Sequence, residues 1–459
     1  MLFNSFHFLT FLFCVLVFSK VIPRRFVAPF LVLSSYYFYA SWDPIYLPLL
    51  LGTTILDYFV CSSLLRPGDN SSRKYLLAVS IVGNLGVLAY FKYGTFIWDN
   101  LISIPYELLS NDLPTTVSII LPVGISFYTF QSMGHSIDVY RRKFTEKVGF
   151  LNFALYVSFF PQLVAGPILR GGDFFPQISN FKKNKDIWLG LNLVLIGFIK
   201  KLVFADNLAG YIDPIFSDIQ TRSVIEVLIA TYAFAIQIYC DFSGYTDIAR
   251  GVAKWVGFDI PINFNYPYFS TSVIDFWRRW HISLSNWLRD YLYISLGGNR
   301  YGVKQTYRNL MITMILGGFW HGAAWNFLLW GFYHGILLVL ANYLGDKGPK
   351  KTGIVKFVHA FWTFNLVCFG WFIFRIESIT DIGFWMGRDD LWHLNADGLV
   401  NIILLITLFF ILHIYRYVTT IQLVDVHRPL PLQILILVLS LFTIVLFGAS
   451  SNAFIYFQF

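Results

Sequence analysis

Two histidines in apolar surroundings are the side chains of this sequence whose type and position most clearly suggest chemistry. His281 ends the sequence Asp-Phe-Trp-Arg-Arg-Trp-His at residues 275–281, and His321 lies in Gly-Gly-Phe-Trp-His-Gly at residues 317–322. An imidazole changes its charge near neutral pH, so either ring could act as an acid or a base. A charged group inside a membrane costs roughly 2.5 to 3.5 kcal/mol on insertion scales, so a function is expected of ionisable residues there. Both histidines are therefore candidates if their segments lie in a membrane.

The composition places the chain in a membrane. Of its 459 residues, 56% are hydrophobic and 13% are charged, whereas about a quarter of the residues of a soluble protein are charged. Apolar runs recur along the whole length, which predicts an all-α, polytopic integral membrane protein with about eleven to thirteen membrane segments, re-entrant pieces included. The net charge of +8 comes from short Lys/Arg clusters between these runs. Such clusters are typical of cytoplasmic loops that anchor a membrane protein, and they do not indicate nucleic-acid binding.

The apolar runs also suggest how the chain is organised. We expect one transmembrane domain over residues 1–459, with N-terminal helices at 1–100, a motif-bearing core at 101–345, and C-terminal helices with an aromatic tail at 346–459. The run 3–22 lacks a small-residue cleavage site, which predicts a retained first span. Residues 117–130 are interrupted by Pro122 and Gly124, which predicts a broken or re-entrant helix. Residues 161–170 are rich in proline and glycine, which predicts a structured loop that dips into the bundle.

The cysteines show no metal-ligand or redox spacing. They are Cys14, Cys61, Cys240 and Cys368, and each lies in an apolar context. We expect free thiols in or near helices, and we expect no metal site.

Asp57 and His135 are further polar groups close to apolar segments. Asp57 lies inside an apolar run and either forms hydrogen bonds within the helix bundle or lines a cavity. His135 could be catalytic, but it precedes the basic cluster at residues 141–143, which favours a position at the membrane interface.

Helical geometry bears on three more polar residues. Asp241 and Asp247 lie six positions apart, or about 240° round a helix, so they would not share a face. We expect each carboxylate to pair with an arginine or a tyrosine instead of forming a catalytic pair. His334 would lie about 220° round a continuous helix from His321. We therefore expect His334 to lie outside the site that contains His321.

Several longer motifs, in order along the chain, resemble those of the membrane-bound O-acyltransferase family. They occupy residues 128–132, 137–141, 160–167, 239–247, 263–267, 275–285, 297–300 and 320–325. The sequence is most similar to the bacterial branch of alginate O-acetylation proteins, and the D-alanyl transfer protein of teichoic acids resembles it more distantly. The resemblance extends from about residue 30 to the C-terminus. One departure is Gly134-His135, where relatives tend to have Ser-Tyr, and it leaves the role of His135 open.

The resemblance implies that His321 is the catalytic base of an acyltransferase. Acyl transfer to a hydroxyl requires a base that works near pH 7, a site that excludes water, and donors for the oxyanion. The alternative is that His321 is a hydrogen-bonded core residue. His281 matches the second histidine of the family, and it either takes a direct part in catalysis or holds the donor and shapes a tunnel.

The residues around His321 are candidates for substrate or donor binding. The glycines at 317, 318 and 322 would let helix backbones or a thin acyl chain approach closely. Trp320 and Trp325 could form walls of the site, and Asn326 could donate a hydrogen bond. Asp241 is a further candidate for substrate or donor contact.

Arg278, Arg279 and Tyr456 complete the candidate binding residues. The two guanidinium groups could bind the phosphates of phosphopantetheine or coenzyme A, or they could be cytoplasmic anchors. Tyr456 lies in the aromatic tail and could carry the acyl group transiently to a partner outside the cell. The alternative is that it belongs to an aromatic belt at the membrane interface.

The activity that the resemblance implies begins with a donor in the cytoplasm. An acyl group, expected to be acetyl, would come from acetyl-CoA or an acyl carrier, with no tightly bound cofactor. It would cross the inner (cytoplasmic) membrane, where this multi-pass protein lies among membrane lipids. An extracytoplasmic transferase of the SGNH or esterase-like type would complete O-acylation of a surface or exported polysaccharide. The motifs are shared across different acceptor polymers, so they do not identify this one.

A transporter or flippase for an acyl group or a lipid-linked substrate is the alternative function. Such a protein would also contain buried polar residues and broken helices, but it would have no transfer chemistry of its own. Many transporters have matched broken helices in two halves of the chain. The sequence shows no such pair.

Overall fold

The architecture is known from a computed structural model, which describes residues 1, 3–102, 119–181, 186–346, 353–387, 398–419 and 430–449. The regular elements of these residues are helices, and no strand occurs among them. The predicted all-α class is therefore confirmed. All four cysteines are free thiols, as expected, and three of them are buried.

The described residues form nineteen α-helices. In chain order they are α1 (Phe6–Val21), α2 (Arg24–Ala40), α3 (Leu47–Leu64), α4 (Asn70–Leu88), α5 (Gly94–Ile97), α6 (Ile125–Tyr140), α7 (Phe150–Ser158), α8 (Gly171–Ser179), α9 (Ile187–Phe198), α10 (Asp206–Ser217), α11 (Val224–Val256), α12 (Val273–Arg279), α13 (Ile282–Trp287), α14 (Val303–His321), α15 (Trp325–Tyr343), α16 (Gly353–Arg375), α17 (Thr380–Met386), α18 (Leu399–Thr419) and α19 (Leu430–Phe447). Some of these helices widen to π-helix, at Ala89–Tyr93, Trp98–Ile102, Ile199–Ala205 and Leu288–Tyr293. Short 3₁₀ turns occur at Pro44–Tyr46 and Pro267–Phe269.

Six helices of the described residues are long and apolar enough to cross a membrane. They are Pro44–Leu64, Asn70–Asn100, Ile187–Ser217, Val224–Val256, Gly353–Arg375 and Leu399–Val418. Phe6–Val21 and Pro431–Phe447 are apolar but shorter. The chain is therefore a membrane protein with several apolar helices. The predicted total of eleven to thirteen segments also counts shorter and re-entrant pieces, and it stays a prediction.

The chain forms two compact units. The N-terminal unit comprises residues 1–185 with 252–260, and the C-terminal unit comprises residues 186–251 with 261–459. The boundaries expected at residues 100 and 345 follow from the motif content of the sequence, and packing does not test them. The division into three parts stays a prediction, and so does the single transmembrane domain.

The predicted interruption near Gly124 lies at the start of a helix in the N-terminal unit. Gly124 has a left-handed backbone with φ 76°, and α6 begins at the next residue, Ile125. A Cβ atom at Gly124 would lie 2.6 Å from the carbonyl oxygen of Leu163. Only glycine combines this backbone conformation with so close an approach.

The predicted loop at residues 161–170 is non-helical and almost entirely buried in the N-terminal unit. Side chains satisfy several backbone groups of this loop and of the residue before it. Gln131 Oε1 accepts from the Leu169 amide at 3.1 Å, the Tyr156 hydroxyl donates to the Leu169 carbonyl at 2.9 Å, and Ser35 Oγ accepts from the Phe160 amide at 3.2 Å. These bonds make a buried loop possible, because an unpaired backbone group would destabilise it.

Candidate active site

His321 is the last residue of α14, and glycine packing fixes this helix against α15. The segment 322–324 separates the two helices, and α15 begins at Trp325. A Cβ atom at Gly318 would lie 3.0 Å from the Cα of Gly331 and still closer to the carbonyl oxygen of Phe327. The two backbones therefore touch, as the glycines of this stretch predicted. This close crossing sets the position of His321 relative to the side chains of α15.

Aromatic rings enclose the imidazole of His321, which is 5% exposed. Its centroid lies 5.1 Å from Trp320, 5.1 Å from Trp330 and 5.5 Å from Phe374, and the three contacts are edge-on. Trp320 and Trp330 are themselves buried. These rings limit the access of water to the imidazole from their sides.

A cavity of about 550 Å³ lies beside His321 in the C-terminal unit. It is lined by Ile274, Trp277, Arg278, Leu284, Ser285, Asn286, Leu288, Arg289, Tyr293, Leu310, Thr313, Met314, Gly317, His321, Trp330, Leu338 and Asn342. Two guanidinium groups and several neutral polar groups are included, and none of these described lining residues is acidic. A cavity that is mostly apolar, with a few polar groups and one imidazole, is the usual form of a small-molecule site.

One face of α14 forms a wall of this cavity. Leu310, Thr313, Met314, Gly317 and His321 recur at the three- and four-residue spacing that places side chains on one helical face. Gly317 lies one turn before His321 and has no side chain, so it leaves space beside the imidazole. A Cβ atom there would lie 3.1 Å from Leu288 Cδ1.

The two arginines predicted to bind a donor have different environments. Arg278 is exposed and lines the cavity, and within the described part of the chain no carboxylate lies within ion-pair distance of it. Arg279 donates through Nε to Asp275 Oδ1 at 2.9 Å. A third arginine, Arg289, lines the cavity but is paired with Asp290 at 2.7 Å. Arg278 is thus the cavity arginine with an available charge.

His281 is buried behind Trp320 and does not line the cavity. It precedes α13 with a left-handed backbone, φ 43°, which is uncommon for a residue with a side chain. Asn263 holds this turn, since its carbonyl accepts from the Ile282 amide at 2.9 Å and its Oδ1 accepts from the Ser283 amide at 3.0 Å. The imidazole centroid lies 6.1 Å from Trp320. Burial lowers the pKa of His281, which favours the neutral ring.

The other candidates beside His321 take different positions. Trp320 is buried between the two histidines, with centroid distances of 6.1 Å to His281 and 5.1 Å to His321. Trp325 is 55% exposed and is absent from the cavity lining. Asn326 donates its amide hydrogens to the carbonyl oxygens of residues 374 and 376, at 3.1 and 2.9 Å. It ties the start of α15 to the end of α16, and in this geometry neither amide hydrogen remains for a substrate.

Lysines, which were not predicted, are close partners of Asp241 and Asp247. Lys201 Nζ lies 2.8 Å from Asp241 Oδ1 and 2.8 Å from Asp206 Oδ1, and Lys200 Nζ lies 2.7 Å from Asp247 Oδ2. An arginine does approach Asp247, but at the longer distance of 3.6 Å. Asp241 is absent from the cavity lining. The prediction missed the lysines because they come from the π-helical segment after α9.

His334 lies outside the cavity lining, as expected, but the reason given from helical geometry is wrong. Residues 322–324 break the helix, so His321 and His334 are not on one continuous helix. Both rings in fact pack against Trp330, with centroid distances of 5.1 and 4.8 Å.

Tyr456, the candidate acyl carrier, lies outside the described residues.

His135 is a core residue of the N-terminal unit, and its expected position at the membrane interface stays a prediction. It is 3% exposed, and the rings of Phe144, Phe153, Tyr156 and Phe175 lie between 4.9 and 5.7 Å from it. This aromatic shell indicates a role in packing.

Sequence comparison supplies the remaining findings. Residues 35–380 match the sequence profile of the membrane-bound O-acyltransferase family. The chain is 42% identical over 353 residues to probable alginate O-acetylase AlgI of Pseudomonas aeruginosa, covering 76% of this chain and 67% of that protein. It is 37% identical over 378 residues to peptidoglycan O-acetyltransferase of Helicobacter pylori, covering 76% and 71%. It is 29% identical over 274 residues to teichoic acid D-alanyltransferase of Bacillus subtilis, covering 55% and 68%.

Proposed function

The chain belongs to the membrane-bound O-acyltransferase family, and from this we propose that it moves an acetyl group from a cytoplasmic donor toward an exported polysaccharide. Relatives are named for alginate O-acetylation, peptidoglycan O-acetylation and teichoic acid D-alanylation. Their acceptors differ, but each is a polymer of the cell surface or exterior. The higher identity to the O-acetylating relatives supports acetyl as the group transferred.

His321 is proposed as the general base. The observation that carries this proposal is that its buried imidazole lines the cavity while aromatic rings enclose its other sides. The hydroxyl that first accepts the acyl group gives its proton to the imidazole as its oxygen attacks the thioester carbonyl carbon. The C–S bond then breaks, and the departing thiolate takes the proton from the imidazolium. A positioned base of this kind contributes about 10²- to 10⁴-fold to the rate.

His281 is proposed as a positioning residue. Its ring packs on Trp320, and Trp320 packs on His321. The left-handed backbone at His281, and the hydrogen bonds that Asn263 accepts from the amides of Ile282 and Ser283, fix the turn that carries this ring. His281 would therefore shape the wall around the base without touching the reacting atoms.

Arg278 is proposed to bind the phosphate of the donor, which would be acetyl-CoA or a phosphopantetheine-bearing carrier. Its guanidinium lines the cavity and has no acidic partner in the described part of the chain. A guanidinium binds a phosphate through two parallel hydrogen bonds. Arg279 differs because Asp275 already holds it, so its role would be structural.

The remaining parts of the proposal come from the sequence. The protein would lie in the inner membrane and act with an extracytoplasmic transferase of the SGNH or esterase-like type. Tyr456 would relay the acyl group to that partner. The second candidate function, a transporter or flippase without transfer chemistry, would not require a base at His321.

The proposal is tested by measuring O-acetyl groups on the polysaccharide of cells that carry variants of the protein. His321→Ala is expected to remove them. His7→Ala is the control, because His7 is exposed and pairs with Tyr37 in the N-terminal unit, so this variant should leave acetylation intact. Normal acetylation by His321→Ala, at equal protein levels in the membrane, would contradict the assignment of the base.

A further inference from the structure

The cavity beside His321 follows the C-terminal half of α14. Five residues of this helix line it, from Leu310 to His321, and they extend over roughly 16 Å along the helix axis. His321 is the last residue of α14, so the proposed base lies at the end of this wall. The acyl group that reacts must therefore lie at the same end, and the rest of the cavity remains for the remainder of the donor.

The end of the cavity that contains His321 has apolar walls. A Cβ atom at Gly317 would lie 3.1 Å from Leu288 Cδ1, so the Leu288 side chain packs directly against the helical turn before the imidazole. The ring centroid of Trp330 lies 5.1 Å from that of His321. Leu288, Gly317 and Trp330 all line the cavity, and so does Met314. Aliphatic and aromatic surface of this kind suits the hydrocarbon part of an acyl group.

Leu288 and Gly317 together determine how much room remains beside the imidazole of His321. Carbon atoms in contact normally lie about 3.5 to 4.0 Å apart, so a Cβ atom at position 317 would be too close to Leu288 at 3.1 Å. A side chain at position 317 would therefore displace Leu288 or take space from the cavity. A smaller side chain at position 288 would instead leave a gap next to the base.

We propose that Leu288, Gly317 and Trp330 form the acyl subsite of the cavity, and that Leu288 sets the longest acyl group accepted from a coenzyme A thioester. The inference rests on the proposed function, because it places the acyl group of the donor beside the proposed base. With leucine at position 288, the subsite takes an acetyl group and discriminates against longer unbranched acyl groups. A hydrophobic pocket distinguishes groups that differ by one methylene by about 10- to 200-fold.

The test measures thiol release from acetyl-, propionyl- and butyryl-coenzyme A by the purified full-length protein, with the polysaccharide and the extracytoplasmic transferase present. The ratios of kcat/KM between the three donors define the length profile of each variant. The wild type should prefer acetyl to butyryl. Leu288→Ala should raise the butyryl-to-acetyl ratio about tenfold or more, because the lost carbon atoms open space beside the base.

Gly317→Ala should change the length profile in the opposite direction. The added methyl group takes space beside the base, so the propionyl-to-acetyl ratio should fall about tenfold. Combining Gly317→Ala with Leu288→Ala should recover most of this loss, because the methyl group then has room. Leu288→Val is a milder truncation that should raise the propionyl-to-acetyl ratio, and it provides a second variant if Leu288→Ala does not fold.

Leu316→Ala is the matched control, because Leu316 lies on the same helix but is exposed and absent from the cavity lining. This variant should keep the wild-type length profile. Partial unfolding does not imitate the expected result, because it lowers the rate with all three donors alike and leaves their ratios unchanged. Thermal unfolding of each variant measures the folded fraction independently.

Two results would overturn the proposal, and they are distinguishable. If folded Leu288→Ala and Gly317→Ala variants keep the wild-type length profile, the acyl subsite is wrong, while release of thiol from acetyl-coenzyme A still supports the proposed function. If the wild type releases no thiol from any of the three donors, coenzyme A thioesters are not donors. The proposed use of acetyl-coenzyme A is then contradicted, and the subsite assigned to its acyl group falls with it.

Discussion

His321, the last residue of α14, packs edge-on against Trp330 of α15, with the ring centroids 5.1 Å apart. The close crossing of the two helices at Gly318 and Gly331 makes this contact possible. Trp330 also lines the cavity. The contact therefore links the packing of the two helices to the position of the proposed base.

Gly318→Ala should lower the stability of the protein. The added methyl group would meet the backbone of α15 at Phe327 and Gly331, and overpacking of this kind costs about 1 to 3 kcal/mol. Gly86→Ala is the control, because a Cβ atom there meets no atom within 4 Å. Thermal unfolding of both variants in detergent measures the difference. Equal stability of the two variants would contradict the close crossing.

Arg278→Gln should raise the KM for the donor and leave kcat nearly unchanged. The lost charge-assisted hydrogen bonds correspond to an increase of about ten- to a hundredfold. Steady-state kinetics with acetyl-CoA measure the change. Arg24→Gln serves as the control because Arg24 is exposed in the N-terminal unit. An unchanged KM in Arg278→Gln would show that this guanidinium does not bind the donor.

His281→Gln should make the stability of the protein less sensitive to acid. Burial lowers the pKa of His281 in the folded state, while the unfolded chain binds a proton at a pKa of about 6.5. Its contribution to stability is therefore complete above that pH and is lost as the pH falls toward the folded pKa. Between pH 7.5 and pH 5 the wild type should lose about 2 kcal/mol more than His281→Gln. Unfolding curves at pH 7.5 and pH 5 measure the loss of stability of each protein. Equal losses in the wild type and in His281→Gln would contradict the prediction. His7→Gln, at an exposed position, should behave as the wild type.

Lys201→Met should destabilise the protein far more than Lys254→Met. Lys201 lies between the carboxylates of Asp206 and Asp241, and its removal leaves two buried negative charges, at a cost of roughly 3 to 5 kcal/mol. Lys254 pairs with Asp259, which is 67% exposed, and such pairs contribute about 1 kcal/mol or less. Chemical or thermal unfolding would compare them. Similar losses in both variants would contradict a structural role for the Lys201 pairs.

The sequence was sufficient for the class of the fold, and it selected His321, which the structure places beside a cavity. Hydropathy alone predicted helices in a membrane, because long apolar runs leave no other way to satisfy the backbone. His321 stood out because it lies in an apolar, glycine-rich run within a family motif. The buried loop at residues 161–170 was also predictable, since proline and glycine exclude a regular helix there.

The contacts of the site required the three-dimensional structure. The contact between Trp330 and His321 was not predicted, because residues 322–324 break the helix. The break changes which face of the bundle each later residue occupies. Trp277 could have been found from the spacing of residues 274, 277 and 278, which places them on one face of α12. The lysine partners of Asp241 and Asp247 depend on a π-helical segment, and hydrophobic spacing carries no signal for it.

The most direct test of the account is transfer of labelled acetyl from acetyl-CoA by the purified full-length protein, comparing wild type with His321→Ala. The wild type should release coenzyme A, and with the extracytoplasmic transferase added it should pass the label on to a polysaccharide acceptor. His321→Ala should be slower by about 10²- to 10⁴-fold while unfolding at nearly the same temperature. Equal rates in the two proteins would show that His321 is not the base. A wild type that carries the label across a vesicle membrane without breaking the thioester would favour a transporter instead.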